Sequence, residues 1–196
     1  MRIVAGAWRG RALIAPAGQA TRPTADRVRQ ALFDMLLHAP WGGRDVIEGV
    51  RVLDAFAGTG AFGLEALSRG AAHATFIEHD RAALAALRSN VAACRAEDRA
   101  TVLAADVLAA PTGQPCGLVF LDPPYGRDLV SRALDRLGAM GWIAPGALVV
   151  AETGRDEALP ALGALLAERT HGAAKVSVIR NLSRGSGRGR DAQHRG

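Results

Sequence analysis

The stretch FLDPPYG, residues 120–126, combines groups that could hold a flat ring carrying an amino group. Prolines fix φ and lack N–H donors, so Pro123 and Pro124 leave a line of carbonyl acceptors in one stiff arrangement. The Asp122 carboxylate adds an acceptor, and Tyr125 offers a flat face on which a base can stack. These four residues are therefore predicted to be the catalytic group, acting on an exocyclic amine.

The proposed chemistry follows from the weakness of an amino nitrogen whose lone pair is delocalised into a ring. If the Asp122 carboxylate and the Pro123 carbonyl each accept one N–H, the nitrogen is drawn towards tetrahedral geometry and its lone pair points at an incoming methyl group. Such an in-line displacement needs alignment and electrostatics more than a strong base. The competing interpretation is structural: a rigid turn that ends a strand and packs on a helix.

A second candidate site is the sequence DAFAGTGAFG, residues 54–63, which matches the pattern G-x-G-x-x-G at Gly58, Gly60 and Gly63. Glycines in such a turn let the backbone approach a ligand, and the following helix offers unpaired N–H groups. Glu78 comes about twenty residues later, where a carboxylate can bind ribose hydroxyls. The pattern predicts a nucleoside cofactor.

Two acids favour S-adenosylmethionine over a nicotinamide as this cofactor. Asp54 precedes the turn, where its charge suits an ammonium group and opposes a pyrophosphate. Asp106 ends the third predicted strand, level with an adenine amino group. Each of these acids, like Glu78, could instead cap a turn or a helix, and a nicotinamide oxidoreductase is the alternative that the turn by itself allows.

Alternating elements must position these groups, and they predict a doubly wound, Rossmann-like α/β fold with a parallel sheet and helices on both faces. The predicted strands are 51–56, 73–79, 100–106, 117–122, 147–153 and 173–182. The predicted helices are 61–70, 80–94, 129–140 and 157–168. If the fourth strand lies beside the first, Gly58 and Asp122 meet at the carboxyl edge of the sheet.

Three segments are predicted along the chain. Residues 1–42 form a β-hairpin and a helix whose N-cap is Thr24. Residues 43–182 form the α/β domain. Residues 183–196 form a basic tail rich in Gly, Ser and Arg, which predicts disorder.

Charge is distributed unevenly over these segments. The net charge is +5, but residues 1–29 carry +5 and residues 180–196 carry +4, which leaves about −4 for the rest. Basic ends around an acidic body indicate a polyanion such as nucleic acid, although arginine-rich ends could also serve solubility alone. Cysteine spacing and the lack of a signal peptide or a long apolar run predict a cytoplasmic protein that binds neither metal nor membrane.

The motifs DAFAGTG and DPPYG together resemble the amino-methylating class of S-adenosylmethionine-dependent methyltransferases. More specifically, MRIVAGAWRGRAL, TRPTADRVRQALFDML, VLDAFAGTGAFGLEALSRGA and FIEHDRAA are similar to the ribosomal small-subunit methyltransferase D family, over about residues 1–152. The resemblance implies N2-methylation of a guanine in 16S rRNA, with the rRNA or the small-subunit particle as partner. The chain is expected to act as a monomer.

The resemblance also implies roles for individual residues. Asp122, Pro123 and Tyr125 would contact the target amine. The cofactor would be bound by Thr24, Asp54, Phe56, Gly58, Thr59, Gly60, Glu78, His79 and Asp106. RNA would be bound by Arg2, Arg9, Arg11, Arg22 and Arg27.

The closest alternative is another amino methyltransferase, acting on DNA adenine or on a protein glutamine. A chain of 196 residues leaves little room for a DNA target-recognition domain, and a glutamine enzyme would not need two arginine-rich ends. A non-catalytic RNA-binding protein with the same fold is a third interpretation.

Overall fold

The computed structural model describes residues 1–16, 23–124, 128–160 and 163–182. The strands are β1 (Arg51–Ala55), β2 (His73–Glu78), β3 (Ala100–Ala104), β4 (Cys116–Leu121), β5 (Ile143–Gly154), β6 (Gly163–His171) and β7 (Ala174–Asn181). The α-helices are α1 (Pro23–His38), α2 (Ala61–Ser68), α3 (Arg81–Ala93) and α4 (Leu129–Ala139). Among the described residues, no helix has the length and hydrophobicity needed to cross a bilayer.

The strands form one mixed sheet in the order β3-β2-β1-β4-β5-β7-β6. Strands β1 to β5 are parallel, and β7 pairs antiparallel with both β5 and β6. The chain moves outwards from β1 to β3 and then crosses back to place β4 on the other side of β1. The junction of β1 and β4 is therefore the switch in strand order, where ligands bind in such folds. The predicted Rossmann-like fold is confirmed.

Helices cover both faces of the sheet because side chains alternate along each strand. On one face Phe76 and Phe120 pack with α1, α2 and α3. On the other face Val119 and Leu121 pack with α4. Asp122 continues the alternation of Phe120, and so follows β4 on the face that α1 and α2 cover.

The helix predicted over residues 157–168 is wrong, because residues 163–171 of the chain form β6. Its alanine, leucine and glutamate residues favour a helix locally. Strand β7, however, would otherwise leave an edge of unpaired backbone donors and acceptors. β6 pairs with that edge from Gly163 to His171, so hydrogen bonding between strands overrides local propensity. The sheet is consequently mixed rather than all-parallel, which is a second correction.

The N-terminal segment is a short hairpin followed by α1. Arg2 and Ala12 form one antiparallel bridge, and a 3-10 turn at Gly6–Trp8 reverses the chain between them. Helix α1 begins at Pro23, which suits the first helical position because a proline there lacks only an N–H that would be unpaired anyway. Thr24 therefore lies within the helix and is not its N-cap, contrary to the prediction.

The buried carboxylate of Glu65, on α2, fastens this segment to the sheet and its helices. It accepts hydrogen bonds from the backbone N–H groups of Val4 and Ala5, at 2.8 and 3.0 Å. It also forms ion pairs with Arg69 at 2.8 Å and with Arg29 at 3.7 Å. Because these bonds cross the predicted boundary at residues 42–43, the N-terminal hairpin and helix are held against the α/β body by polar groups away from water.

Replacing Glu65 by alanine is expected to lower the free energy of unfolding by about 3 kcal/mol, since it leaves two backbone donors and two guanidinium groups without their shared acceptor. Urea denaturation would measure the change. Glu48→Ala is the matched control, because Glu48 pairs with Arg44 at the surface and should cost less than about 1 kcal/mol. Equal losses for the two variants would contradict the role assigned to Glu65.

Candidate active site

In folds of this kind ligands bind in a crevice at the switch in strand order, which in this protein is where β1 and β4 end side by side. Ala55 and Leu121 are paired residues in this parallel register. The glycine turn that follows Ala55 and the Asp122 that follows Leu121 therefore lie at the same carboxyl edge of the sheet. The predicted meeting of these two motifs is confirmed at the level of the backbone.

The glycine turn is built from left-handed backbone conformations. Gly58 and Gly60 have φ angles of +53° and +79°, and Phe56 has +63°, which is uncommon for a side chain of its size. A Cβ on Gly60 would lie 2.4 Å from Leu87, whereas one on Gly58 would meet no atom of the described residues within 4 Å. The left-handed φ disfavours a side chain at both glycines, and the contact with Leu87 adds to this at Gly60. The open side of Gly58 is where a ligand can reach the backbone.

Gly63 belongs to the packing of this turn rather than to its open side. A Cβ on Gly63 would lie 2.3 Å from the ring of Phe76, so glycine lets α2 approach β2 closely. The G-x-G-x-x-G match therefore contains one glycine with an open side, Gly58, and two glycines, Gly60 and Gly63, that pack against interior side chains.

Asp54 is buried beneath the turn, and its Oδ2 accepts a hydrogen bond from the Gly63 N–H at 2.8 Å. Burial raises the pKa of Asp54 to about 8, the Gly63 hydrogen bond opposes this rise, and the charges of Asp122 and Glu78 add to it. The geometry is that of a carboxylate that ties the turn to the start of α2, as one of the interpretations of this residue held.

Glu78 ties the other side of the turn to the start of α3. Its Oε2 accepts from the Gly58 N–H at 2.8 Å, and its Oε1 accepts from the N–H groups of His79 and Asp80, at 2.8 and 2.7 Å. The carboxylate is buried and lies directly beside Gly58, which brings it to the crevice. The His79 side chain remains largely exposed.

The remaining predicted cofactor residues occupy different surroundings. Asp106 is exposed, and its Oδ1 accepts from the Leu108 N–H at 2.9 Å, which caps the short 3-10 turn after β3. Thr59 is buried, and its hydroxyl lies 3.4 Å from the sulfur of Met1. The Thr59 side chain therefore contacts the N-terminal segment, while its backbone belongs to the turn.

Asp122 lines a small cavity between the sheet and α1, together with Phe62, Phe120 and Glu152. Asp122 is exposed as a residue, yet the protein around its carboxylate displaces enough water to raise the pKa of Asp122 to about 7, and the charge of Glu152 adds to the rise. Pro123 is buried and Pro124 is exposed. Tyr125, predicted to stack on the target ring, lies outside the described residues.

Glu152 and a neighbouring groove are features that the sequence analysis missed. Glu152 is the next residue after Ala151, which pairs with Leu121, so it sits beside Asp122. The groove measures about 270 Å³ and shares Val28, Leu32 and Val176 with the Asp122 cavity. Arg169 and His171 line its other side. The signal available for Glu152 was an acid at the carboxyl end of the strand next to β4. The groove could not be predicted, because β6, which supplies Arg169 and His171, was predicted to be part of a helix.

Two of the arginines predicted to bind RNA lie at the first turns of α1. The Arg2 N–H lies 3.4 Å from Asp26 in the first turn of α1. Arg27 is exposed on the same part of α1, next to Val28, which lines the Asp122 cavity.

The other predicted RNA-binding arginines lie elsewhere. The Trp8 N–H, next to Arg9, donates to Ser68 at the end of α2, and the Arg11 guanidinium donates to the carbonyl of Ala93 at the end of α3. Both helices return from the carboxyl edge of the sheet to its amino edge, so Arg9 and Arg11 lie away from the crevice. Arg22 lies outside the described residues.

Comparison with known proteins agrees with this geometry. The family model described as Conserved hypothetical protein 95 matches residues 1–180. Ribosomal RNA small subunit methyltransferase D of Escherichia coli (strain K12) is 43% identical over 166 residues, which are 84% of this chain and 80% of that protein. The chain belongs to the ribosomal RNA small subunit methyltransferase D family. The resemblance predicted from the sequence motifs is confirmed.

Solved structures of methyltransferases share the fold of this methyltransferase D family member. The putative methyltransferase yhhF from Escherichia coli has a TM-score of 0.81 at 38% identity, covering 94% of this chain and 99% of that chain. A Thermus thermophilus 16S rRNA N2 methyltransferase in complex with AdoMet and guanosine has a TM-score of 0.63 at 20% identity, covering 84% of this chain and 44% of that chain, and shows the fold alone. The methyltransferase name of the Escherichia coli relative agrees with the S-adenosylmethionine cofactor predicted above, and the AdoMet of the Thermus thermophilus structure is a ligand of that protein.

The raised pKa of Asp54 predicts a specific pH dependence of stability in the ligand-free protein. The folded state holds the Asp54 proton more tightly than the unfolded chain does. The stabilisation that the protonated Asp54 gives to the folded state is therefore complete below about pH 4 and is lost as the pH rises towards 8. The asparagine of Asp54→Asn does not titrate. Relative to the wild type, the free energy of unfolding of this variant should therefore increase by on the order of 2–4 kcal/mol between pH 5 and pH 8.

Urea unfolding at several pH values would measure this difference, with Asp98→Asn at an exposed position as the control. The control curve should stay parallel to that of the wild type. An Asp54→Asn curve that is also parallel would show that burial does not favour the protonated carboxyl.

Proposed function

We propose that this protein transfers a methyl group from S-adenosylmethionine to the exocyclic N2 of a guanine in the 16S rRNA of the small ribosomal subunit. The observation that carries the proposal is the pairing of Ala55 with Leu121, which sets the glycine turn and Asp122 side by side at the switch point of the sheet. Membership in the methyltransferase D family supports rRNA as the substrate.

The residues around the turn fit the cofactor. The open side of Gly58 admits a ligand to the backbone, and the Glu78 carboxylate beside it keeps acceptor capacity on Oε2, which receives one hydrogen bond from the described chain. Glu78 would bind ribose hydroxyls there, and Asp106 would lie near the adenine amino group. When bound, the cofactor supplies a methyl group activated by a positively charged sulfur.

The target amine would lie against Asp122 and the Pro123 carbonyl. Each accepts one N–H of the amino group, which aims the nitrogen lone pair across the crevice. Binding favours the ionised Asp122, because both a cationic cofactor and two N–H donors stabilise a carboxylate. The raised pKa of Asp122 therefore belongs to the ligand-free crevice, and the bound site shifts it downwards.

The RNA around the target base would follow the groove between α1 and β6. The apolar side chains Val28 and Leu32 continue from the Asp122 cavity into this groove. Arg27 and Arg169 carry positive charge for backbone phosphates along this path. Arg9 and Arg11 lie at the other edge of the sheet, where they would be reached only by a substrate large enough to extend along α2 and α3.

The test is methyl transfer from a labelled donor to 16S rRNA and to small-subunit particles, followed by digestion and mass analysis of the nucleosides. The wild type should yield N2-methylguanosine. Asp122→Ala should lose at least about a hundredfold in rate while binding the donor within a few-fold of the wild type, and Asp135→Ala, at an exposed position on α4, should change neither.

Other products would redirect the assignment. Methylated adenine or glutamine would favour the alternative amino methyltransferases, and binding of NADH in preference to S-adenosylmethionine would favour an oxidoreductase. RNA binding without transfer would leave the non-catalytic interpretation. An equal loss of donor affinity in Asp122→Ala would move Asp122 into the cofactor site.

A further inference from the structure

A second carboxylate stands next to Asp122 at the edge of the crevice. Strands β4 and β5 are parallel, with Phe120 beside Val150 and Leu121 beside Ala151. The next residues in this register are Asp122 and Glu152. Neighbouring strands lie about 4.8 Å apart, so the two acids are close enough to contact adjacent atoms of one ligand.

Both acids face the same enclosed space. Glu152 follows the alternation of Val150, which packs on the α1 and α2 face of the sheet, and Asp122 follows the alternation of Phe120 on that face. Both side chains line one cavity with Phe62 and Leu32. Glu152 is half-buried, and its negative charge adds to the rise in the pKa of Asp122.

A carboxylate can accept about four hydrogen bonds on its two oxygens, so each of these acids can accept from a ligand in addition to its contacts within the protein. The pair therefore suits a ligand that brings several N–H donors to both. The Watson–Crick edge of guanine presents three adjacent N–H donors, two on N2 and one on N1. Asp122 and the Pro123 carbonyl account for the two on N2 under the function proposed above.

We propose that Glu152 accepts the N1–H of the target guanine and thereby makes the site selective for guanine. The inference rests on the proposed function and adds a specificity-determining residue to it. The three acceptors Asp122, Pro123 and Glu152 then match the three donors of this edge one for one.

The same arrangement rejects bases whose ring nitrogen is an acceptor. Adenine presents an amino group next to an unprotonated N1, so an ionised Glu152 would face a lone pair and gain no hydrogen bond. A hydrogen bond to a charged group that is lost in a site of this kind costs about ten- to a hundredfold in transfer. Discrimination between guanine and adenine therefore arises at ring nitrogen N1, which lies beside the amino group on the same edge of the base.

The experiment compares an RNA fragment that carries either guanine or 2-aminopurine at the position identified by nucleoside mapping. 2-Aminopurine keeps the amino group that would be methylated, but its N1 is an acceptor. The wild type should prefer guanine by about ten- to a hundredfold in kcat/KM. Glu152→Gln should lose activity on guanine and retain at most about a threefold preference, because its amide can donate to N1 as well as accept from it.

Glu168→Gln is the matched control, because Glu168 lies on β6 beside Lys175, outside the cavity; it should keep the wild-type preference. Equal transfer to both bases by the wild type, or an unchanged preference in Glu152→Gln, would overturn the role of Glu152 alone. A wild type that methylates N2 of neither base would remove the proposed function and this inference together. If Glu152→Gln does not fold, Glu152→Ala replaces it in the same comparison, and a wild-type preference retained by that variant would likewise overturn the role of Glu152.

Discussion

The parallel register of β1 and β4 is the constraint on which the whole site depends. Because Ala55 lies beside Leu121, two segments about 60 residues apart in the sequence end at one edge of the sheet. A slip of one residue would turn Asp122 to the α4 face, since side chains alternate along a strand. The apolar contacts of Phe120 on one face and Leu121 on the other fix the register. The chemistry is thus set by packing that itself binds no ligand.

Clustered acids are the second consequence of this register. Asp54, Glu78, Asp122 and Glu152 all stand at the ends of β1, β2, β4 and β5. Burial and mutual repulsion raise the pKa of Asp54 and of Asp122, which costs stability in the ligand-free protein as the pH rises. A cationic cofactor and a donor-rich base relieve that repulsion, so the groups that destabilise the ligand-free crevice are the ones that recognise its ligands. The N-terminal segment is fastened to α2 by the carboxylate of Glu65.

The sequence predicted those parts of the molecule whose pattern is local. Alternating apolar strands, the turn at Gly58 and the stretch at Asp122 each carry their own signature. The segment 157–168 failed because its helical composition competes with pairing to β7, which local propensity does not include. Glu152 carries no local pattern, and becomes visible only when β5 lies beside β4. Likewise, counting charges does not distinguish Arg27 from Arg9. Their different locations depend on how the N-terminal hairpin packs along α2, which no local pattern shows.

The most direct measurement is a structure of the protein with S-adenosylhomocysteine and an RNA fragment that contains the target guanine. The account predicts that guanine N2 lies within hydrogen-bonding distance, about 3 Å, of both the Asp122 carboxylate and the Pro123 carbonyl, with the cofactor sulfur across the crevice beside Gly58. A guanine bound elsewhere, or an Asp122 side chain turned away from the base, would contradict it.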